Sequence, residues 1–206
     1  MLTQWIATFF VLTATISVAT AQPTKEIVRG RYAYIEIAHE EQSPDLCLPT
    51  CVAMALNYYG AGKSQWTIKR LSNEHKDLFS GTSLEEVQQG IKPLGYTWDR
   101  WRWRADSMGF VNGLDAIKQS LDRGKPVIIG IHVERDVADH RRLGHALLAF
   151  GYDAEEREIM FMDPAQTFPG KRHVSYDHFR EMWNQGGQRL ALFTAAEGDL
   201  PVGHPK

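Results

Sequence analysis

The chain is poor in the features that assign function at a glance. It has two cysteines, Cys47 and Cys51, four residues apart, and its eight histidines stand in no spacing with them that a tetrahedral zinc site would use. No metal and no other cofactor is therefore expected. Neither charge sign is in surplus, with 23 Lys and Arg against 25 Asp and Glu, so the bulk electrostatics that gather nucleic acid are missing. There is no glycine-rich phosphate loop. Beyond the first two dozen residues no apolar run is long enough to span a membrane. No repeat or linker divides the 206 residues, which suits one domain with a substantial core.

The first 22 residues carry no charged side chain and centre on an apolar run from Trp5 to Val11. Ala19, Thr20 and Ala21 then form a small-x-small site. This predicts a secretory signal peptide over residues 1–21, a mature domain over 22–206, and an exported product, periplasmic or extracellular, with no stable membrane association once the leader is removed. Two cysteines in an exported protein ordinarily pair. One helical turn apart, these two lack the relaxed geometry of a disulfide, and Cys51 reads as a small buried apolar residue.

The stretch that organises the rest is QSPDLCLPTCVAMALNYYG, residues 42–60. Leu48, Cys51, Val52, Ala55, Leu56 and Tyr59 recur on one helical face. Pro49 suits the first turn and Gly60 the position after the last. The helix thus begins beside Cys47, where unpaired backbone N–H groups and the positive end of the helix dipole favour a thiolate. Free cysteine, with a pKa of about 8.5, needs such help to act as a nucleophile near neutral pH. Cys47 is the candidate nucleophile.

Around it, residues 23–27 read as a flexible start and RGRYAYIEIAH, residues 29–39, as a strand. Ser64 caps a helix with Trp66 and Leu71 inward and Ile68 nearby. Ser83 and Glu86 form a capping box for another helix that stops before Pro93. TWDRWRWR alternates strictly, and with no wider basic excess it reads as a half-buried strand with a solvated arginine face rather than a nucleic-acid patch. Asn112–Arg123 reads as a helix, PVIIGIHV and GHALLAFGYD as strands, EIMFMD as the strand after a DAEER turn, SYDHFREMW as a helix capped by Ser175, and RLALF as the last strand. Helices early and antiparallel strands late make an α+β fold.

Of the histidines, His145 stands out because it opens an otherwise apolar strand. If residues 145–152 and 158–163 pair around a turn centred near Glu155, His145 faces position 165 and Asp163 is its diagonal neighbour on the same face. A carboxylate there fixes the imidazole tautomer and stabilises its charged form. Gln42, in the loop before Cys47, can donate its side-chain amide to a developing oxyanion together with the Cys47 N–H. Cys47, His145, Asp163 and Gln42 form the candidate catalytic set.

QSPDLCLPTCVAMALNYYG, GHALLAFGYD and MDP, in that order, resemble the papain-like cysteine peptidases of the bacteriocin-processing, double-glycine type, and the likeness covers roughly residues 30–195. It implies a helical part carrying Cys47 packed on an antiparallel sheet carrying His145 and Asp163, with Gln42 as the oxyanion glutamine. It implies a stand-alone exported relative that hydrolyses a peptide or protein substrate through a thioester. Leu48 stands where that family usually has glycine, and Gln42 is five residues before the cysteine rather than about six. A non-catalytic binding module on the same fold, or a transglutaminase-like acyl transferase, are the alternatives.

Overall fold

A computed structural model describes residues 25–73, 81–96, 98–134, 142–184 and 187–193. The expected leader lies outside the described residues. β-Branched and aromatic runs supply the strands: β1 (Lys25–Val28), β2 (Tyr32–Ile35), β3 (Asp99–Arg104), β4 (Val127–Glu134), β5 (Arg142–Asp153), β6 (Glu158–Met162), β7 (Lys171–Ser175) and β8 (Gln188–Phe193). All pairings among them are antiparallel. The order β1-β2-β5-β4-β8-β3 forms one path, and β6 joins β5 to β7.

The helices follow local cap chemistry. Helix α2 (Gln65–Ser72) starts where the Ser64 side chain accepts from the Thr67 N–H, and α3 (Leu84–Gly90) carries the complete Ser83–Glu86 capping box. Helix α5 (Tyr176–Met182) is capped by Ser175. Helix α4 (Ser107–Leu121) begins five residues earlier than its apolar spacing suggests, because Asp106 caps it by accepting from the Gly109 N–H. Leu114, Ile117 and Leu121 are its buried face, as their spacing requires.

Helix α1 (Cys47–Tyr58) is the central packing element. Every residue from Leu48 to Leu56 is buried, and the helix lies against β5 and α2. A helix enclosed all round in this way has no amphipathic stripe. At the far side α4 and α5 meet through Phe110, Phe179 and Trp183, with ring centroids 4.9–6.4 Å apart.

Several expectations need correction. Residues 25–28 are a strand paired with β2, so the helices do not come first in the chain. On α2 the inward residues are Gln65, Ile68 and Lys69, while Trp66 is 41% exposed and Leu71 only half-buried. Trp101 is 54% exposed and stacks on the half-buried Trp103, so the tryptophan face of β3 is more solvated than alternation suggests. Strand β7, between Asp163 and Ser175, has no counterpart in the sequence reading.

The β5–β6 hairpin holds the decisive detail. Next to its turn Asp153 faces Glu158, Tyr152 faces Ile159 and Gly151 faces Met160, so odd-numbered residues face even-numbered ones. Continued unbroken, that register would put His145 and Asp163 on opposite faces of the sheet. The ladder instead shifts by one at Phe150, after which Ala149 faces Phe161 and Leu148 faces Met162. This β-bulge returns the two residues to one face. The expected alignment is therefore reached by another route, a later turn plus a bulge in place of an unbroken ladder.

Gly151 adjoins the bulge, where a Cβ would lie 2.5 Å from the Ala33 carbonyl oxygen of β2. On the β2 side the obstacle is backbone, which has little room to yield, and on the β6 side the Met160 sulfur lies 3.0 Å away. Gly151→Ala is expected to destabilise the fold by about 2 kcal/mol. For a chain of this size that lowers Tm by roughly 4–8 °C in a thermal melt.

Candidate active site

Cys47 occupies the first position of α1, and its surroundings follow from what the helix end lacks. The N-cap residue Leu46 offers no side-chain acceptor, and no acidic residue lies in the first turn. The Leu48 N–H is therefore free to donate to the Cys47 sulfur, and the Ala146 N–H of β5 donates to it as well. Burial alone pushes the thiol up, but the hydrogen bond and charge of His145 together with these two N–H groups outweigh it. The net result holds Cys47 below the ordinary thiol value.

Ala146 also accepts from the Cys51 thiol at 3.4 Å. Strand β5 has lost β6 by this point, since the last β6 pairing is at Leu148, while β4 still covers its other edge. The start of α1 thus serves Ala146 as a neighbouring strand would. Both cysteines are free, and burial drives the Cys51 thiol far up, which makes it inert.

His145 lies on the same stretch of β5. Its Nε2–H donates to Asp163 Oδ1 at 2.8 Å, which leaves Nδ1 as the nitrogen for the Cys47 sulfur. Asp163 sits one residue past the end of β6, not within it. Its Oδ1 also accepts from the Ala165 N–H at 3.0 Å, and Oδ2 accepts from Arg172 Nη1 at 2.9 Å. Burial pushes Asp163 up, but His145 and Arg172 overcome it and keep the carboxyl below its usual range. Burial pushes His145 down, but Asp163 and Cys47 reverse this and raise it to about 9. With Cys47 held below the ordinary thiol value and His145 raised above the ordinary imidazole value, both shifts draw the shared proton from the sulfur toward the imidazole, which Asp163 holds from its other side.

Gln42 reaches the same place through the backbone. Its N–H donates to the carbonyl of Pro164, the residue after Asp163, at 2.8 Å. Its Oε1 is buried without a hydrogen-bond partner among the described residues. Leu48 is 4% exposed and belongs to the core, so its bulk is turned inward.

Sequence reasoning missed Arg172. It lies on β7 opposite Phe161, and KRHVS is too short and polar to announce a strand. His39 was also unassigned, and its Nε2 lies 3.2 Å from the Asp163 carbonyl oxygen.

The sequence profile of the Peptidase_C39-like family matches residues 34–190, which span all of these groups. The chain belongs to the Peptidase_C39-like family. Family membership makes it a cysteine-type peptidase, and its fold is papain-like.

Solved structures agree on that fold. A double-glycine-motif protease from an AMS/PCAT transporter, crystallised with a leader peptide, is 16% identical over 84% of this chain and 99% of its own, with a TM-score of 0.55. The peptidase domain of Streptococcus ComA, described as a bifunctional ABC transporter in quorum sensing, is 23% identical over 79% and 98%, with a TM-score of 0.51. Xylellain, a cysteine protease from Xylella fastidiosa, is 11% identical over 90% and 95%, with a TM-score of 0.52. A comparison with curated proteins finds no match.

Two measurements probe the electrostatics. Alkylation of Cys47 by iodoacetamide, followed against pH, is expected to show a midpoint below that of an ordinary thiol, and His145→Ala should move that midpoint upward. Arg172→Gln removes a charged hydrogen bond from a buried carboxylate and is expected to cost about 1.5 kcal/mol in urea unfolding.

Proposed function

We propose that this member of the family is an exported peptidase in which Cys47 is the nucleophile, His145 the proton carrier, Asp163 its orienting partner and Gln42 an oxyanion donor. The observation that carries the reading is the hydrogen-bonded chain from the Cys47 sulfur through His145 to Asp163, with the imidazole held charged. The leader-like first 21 residues support export. A peptide substrate is supported by the transporter-linked neighbour that holds a leader peptide.

In this mechanism the thiolate of Cys47 attacks the carbonyl carbon of a peptide bond, and the electron pair of the carbonyl moves to oxygen. The Gln42 amide N–H and the Cys47 backbone N–H stabilise that oxyanion. His145 gives its Nδ1 proton to the departing nitrogen as the C–N bond breaks, which leaves a thioester and a neutral imidazole. A water molecule then attacks the thioester carbonyl while His145 takes one of its protons. The C–S bond breaks, the product leaves as a carboxylic acid that gives its proton to the solvent, and the thiolate–imidazolium pair returns. Asp163 remains ionised throughout and holds the imidazole in place.

The pH dependence follows from which form does the work. The leaving nitrogen needs the His145 proton, so kcat/KM on a quenched fluorescent peptide library should fall as pH rises through about 9. The acid limb should lie below the ordinary thiol value, because the Cys47 thiolate persists there. Cys47→Ala should abolish hydrolysis. Gln42→Ala should lower kcat roughly 10²–10³-fold while leaving Cys47 open to iodoacetamide. Retained hydrolysis in Cys47→Ala would overturn the assignment.

A further inference from the structure

The segment that delivers Gln42, residues 36–43, belongs to no helix or strand. A loop of this kind is an imprecise platform for a donor that must point at one atom. What holds it is a side chain from another element. Gln65, the first residue of α2, is 7% exposed, and its amide uses its full hydrogen-bonding capacity. Oε1 accepts from the Ser43 N–H at 2.8 Å and from the Thr50 hydroxyl at 3.1 Å. Nε2 donates to the Glu41 carbonyl at 3.0 Å and to Glu40 Oε1 at 3.0 Å.

These partners have a pattern. Glu41 and Ser43 are the two residues flanking Gln42, and one amide grips the carbonyl of the first and the N–H of the second. The Gln42 N–H is itself tied to Pro164. Its backbone is thus fixed on both sides and in the middle. Thr50, the fourth partner, lies one turn along α1 from Cys47, and its single hydroxyl proton is shared between Gln65 Oε1 and the Leu46 carbonyl, the nearer of the two at 2.7 Å. Gln65 therefore couples the helix that carries the sulfur to the loop that carries the donor.

We infer that Gln65 is a positioning residue: by holding Glu41, Ser43 and Thr50 together it sets the aim of the Gln42 amide at the oxyanion formed on Cys47. This rests on the reading of Gln42 and Cys47 given above. Gln65 touches no reacting atom and acts through Gln42.

Two electrophiles separate the roles in the full-length protein. With p-nitrophenyl acetate, the Cys47 thiolate forms an S–C bond at the ester carbonyl, passes through an oxyanion and expels p-nitrophenolate. Iodoacetamide alkylates the same sulfur by displacing iodide at a saturated carbon, with no oxyanion. Gln65→Met should slow the p-nitrophenolate burst about tenfold or more and leave the iodoacetamide rate within about twofold of wild type. Adding Gln65→Met to Gln42→Ala should slow acylation no further than Gln42→Ala does, because the two act in series.

If Gln42→Ala acylates slowly but Gln65→Met keeps the wild-type burst, the positioning role is overturned and the oxyanion reading stands. Equal slowing toward both electrophiles overturns the inference too, since Gln65 would then be acting on the thiolate or the fold. A wild-type burst in Gln42→Ala overturns the oxyanion reading and this inference with it. Should Gln65→Met fail to fold, Gln65→Glu keeps the acceptor for Ser43 and Thr50 but loses both donated bonds. Selective slowing in that variant supports the inference, and a wild-type burst overturns it.

Discussion

The location of one proton is the constraint on which the site depends. Free cysteine and histidine would leave it on sulfur near neutral pH, and here the surroundings lower the thiol and raise the imidazole, both of which draw it toward the ring. Raising His145 from 6.5 to about 9 corresponds to on the order of 3 kcal/mol in favour of its charged form, supplied jointly by Asp163 and Cys47 against burial. On the sulfur side the same transfer is helped by two backbone N–H groups, one from the uncapped start of α1 and one from β5. Asp163 can do this while buried because Arg172 and the Ala165 N–H hold it ionised. Removing any of these shifts the proton back toward sulfur.

The fold can be read as the scaffold for that transfer. An all-buried helix is expensive to orient by surface contacts, and α1 is instead located by what its first turns bind. Cys47 and Cys51 meet the N–H and C=O of the same residue, Ala146, on the open edge of β5. Thr50 ties the next position to Gln65 and through it to the loop before the cysteine. Helix start, strand edge and loop are thereby fixed relative to one another by three contacts within the five residues from Cys47 to Cys51.

What was legible in the sequence is what rests on local physics. Ser64, Ser83 with Glu86, and Ser175 announce their helices because a cap involves residues three apart, and Pro49 fits the first turn of α1 for the same reason. The apolar faces of α4 and the runs of β4, β5 and β8 were equally plain. What escaped depends on distant partners. Lys25–Val28 is a strand only because β2 lies beside it, and Lys171–Ser175 only because β6 does. Missing β7 meant missing Arg172. Gln65 reads in sequence as one more polar residue after a helix cap, and its four partners span residues 40 to 50. Trp66 was assigned inward by its hydrophobicity, whereas tertiary packing buries its polar neighbour instead.

The bulge at Phe150 carries a consequence for how this hairpin can vary. Loop length and strand phase are linked, because four residues separate Asp153 from Glu158 and a single extra residue in β5 compensates. Gaining or losing one residue at the tip would turn the compensation into an error, rotating every side chain between the tip and Asp163 to the other side of the sheet. Length changes there are compatible with the active site in pairs, or when the kink disappears at the same time. Related chains should therefore fall into two groups, bulged with even-length tips and straight with odd-length ones.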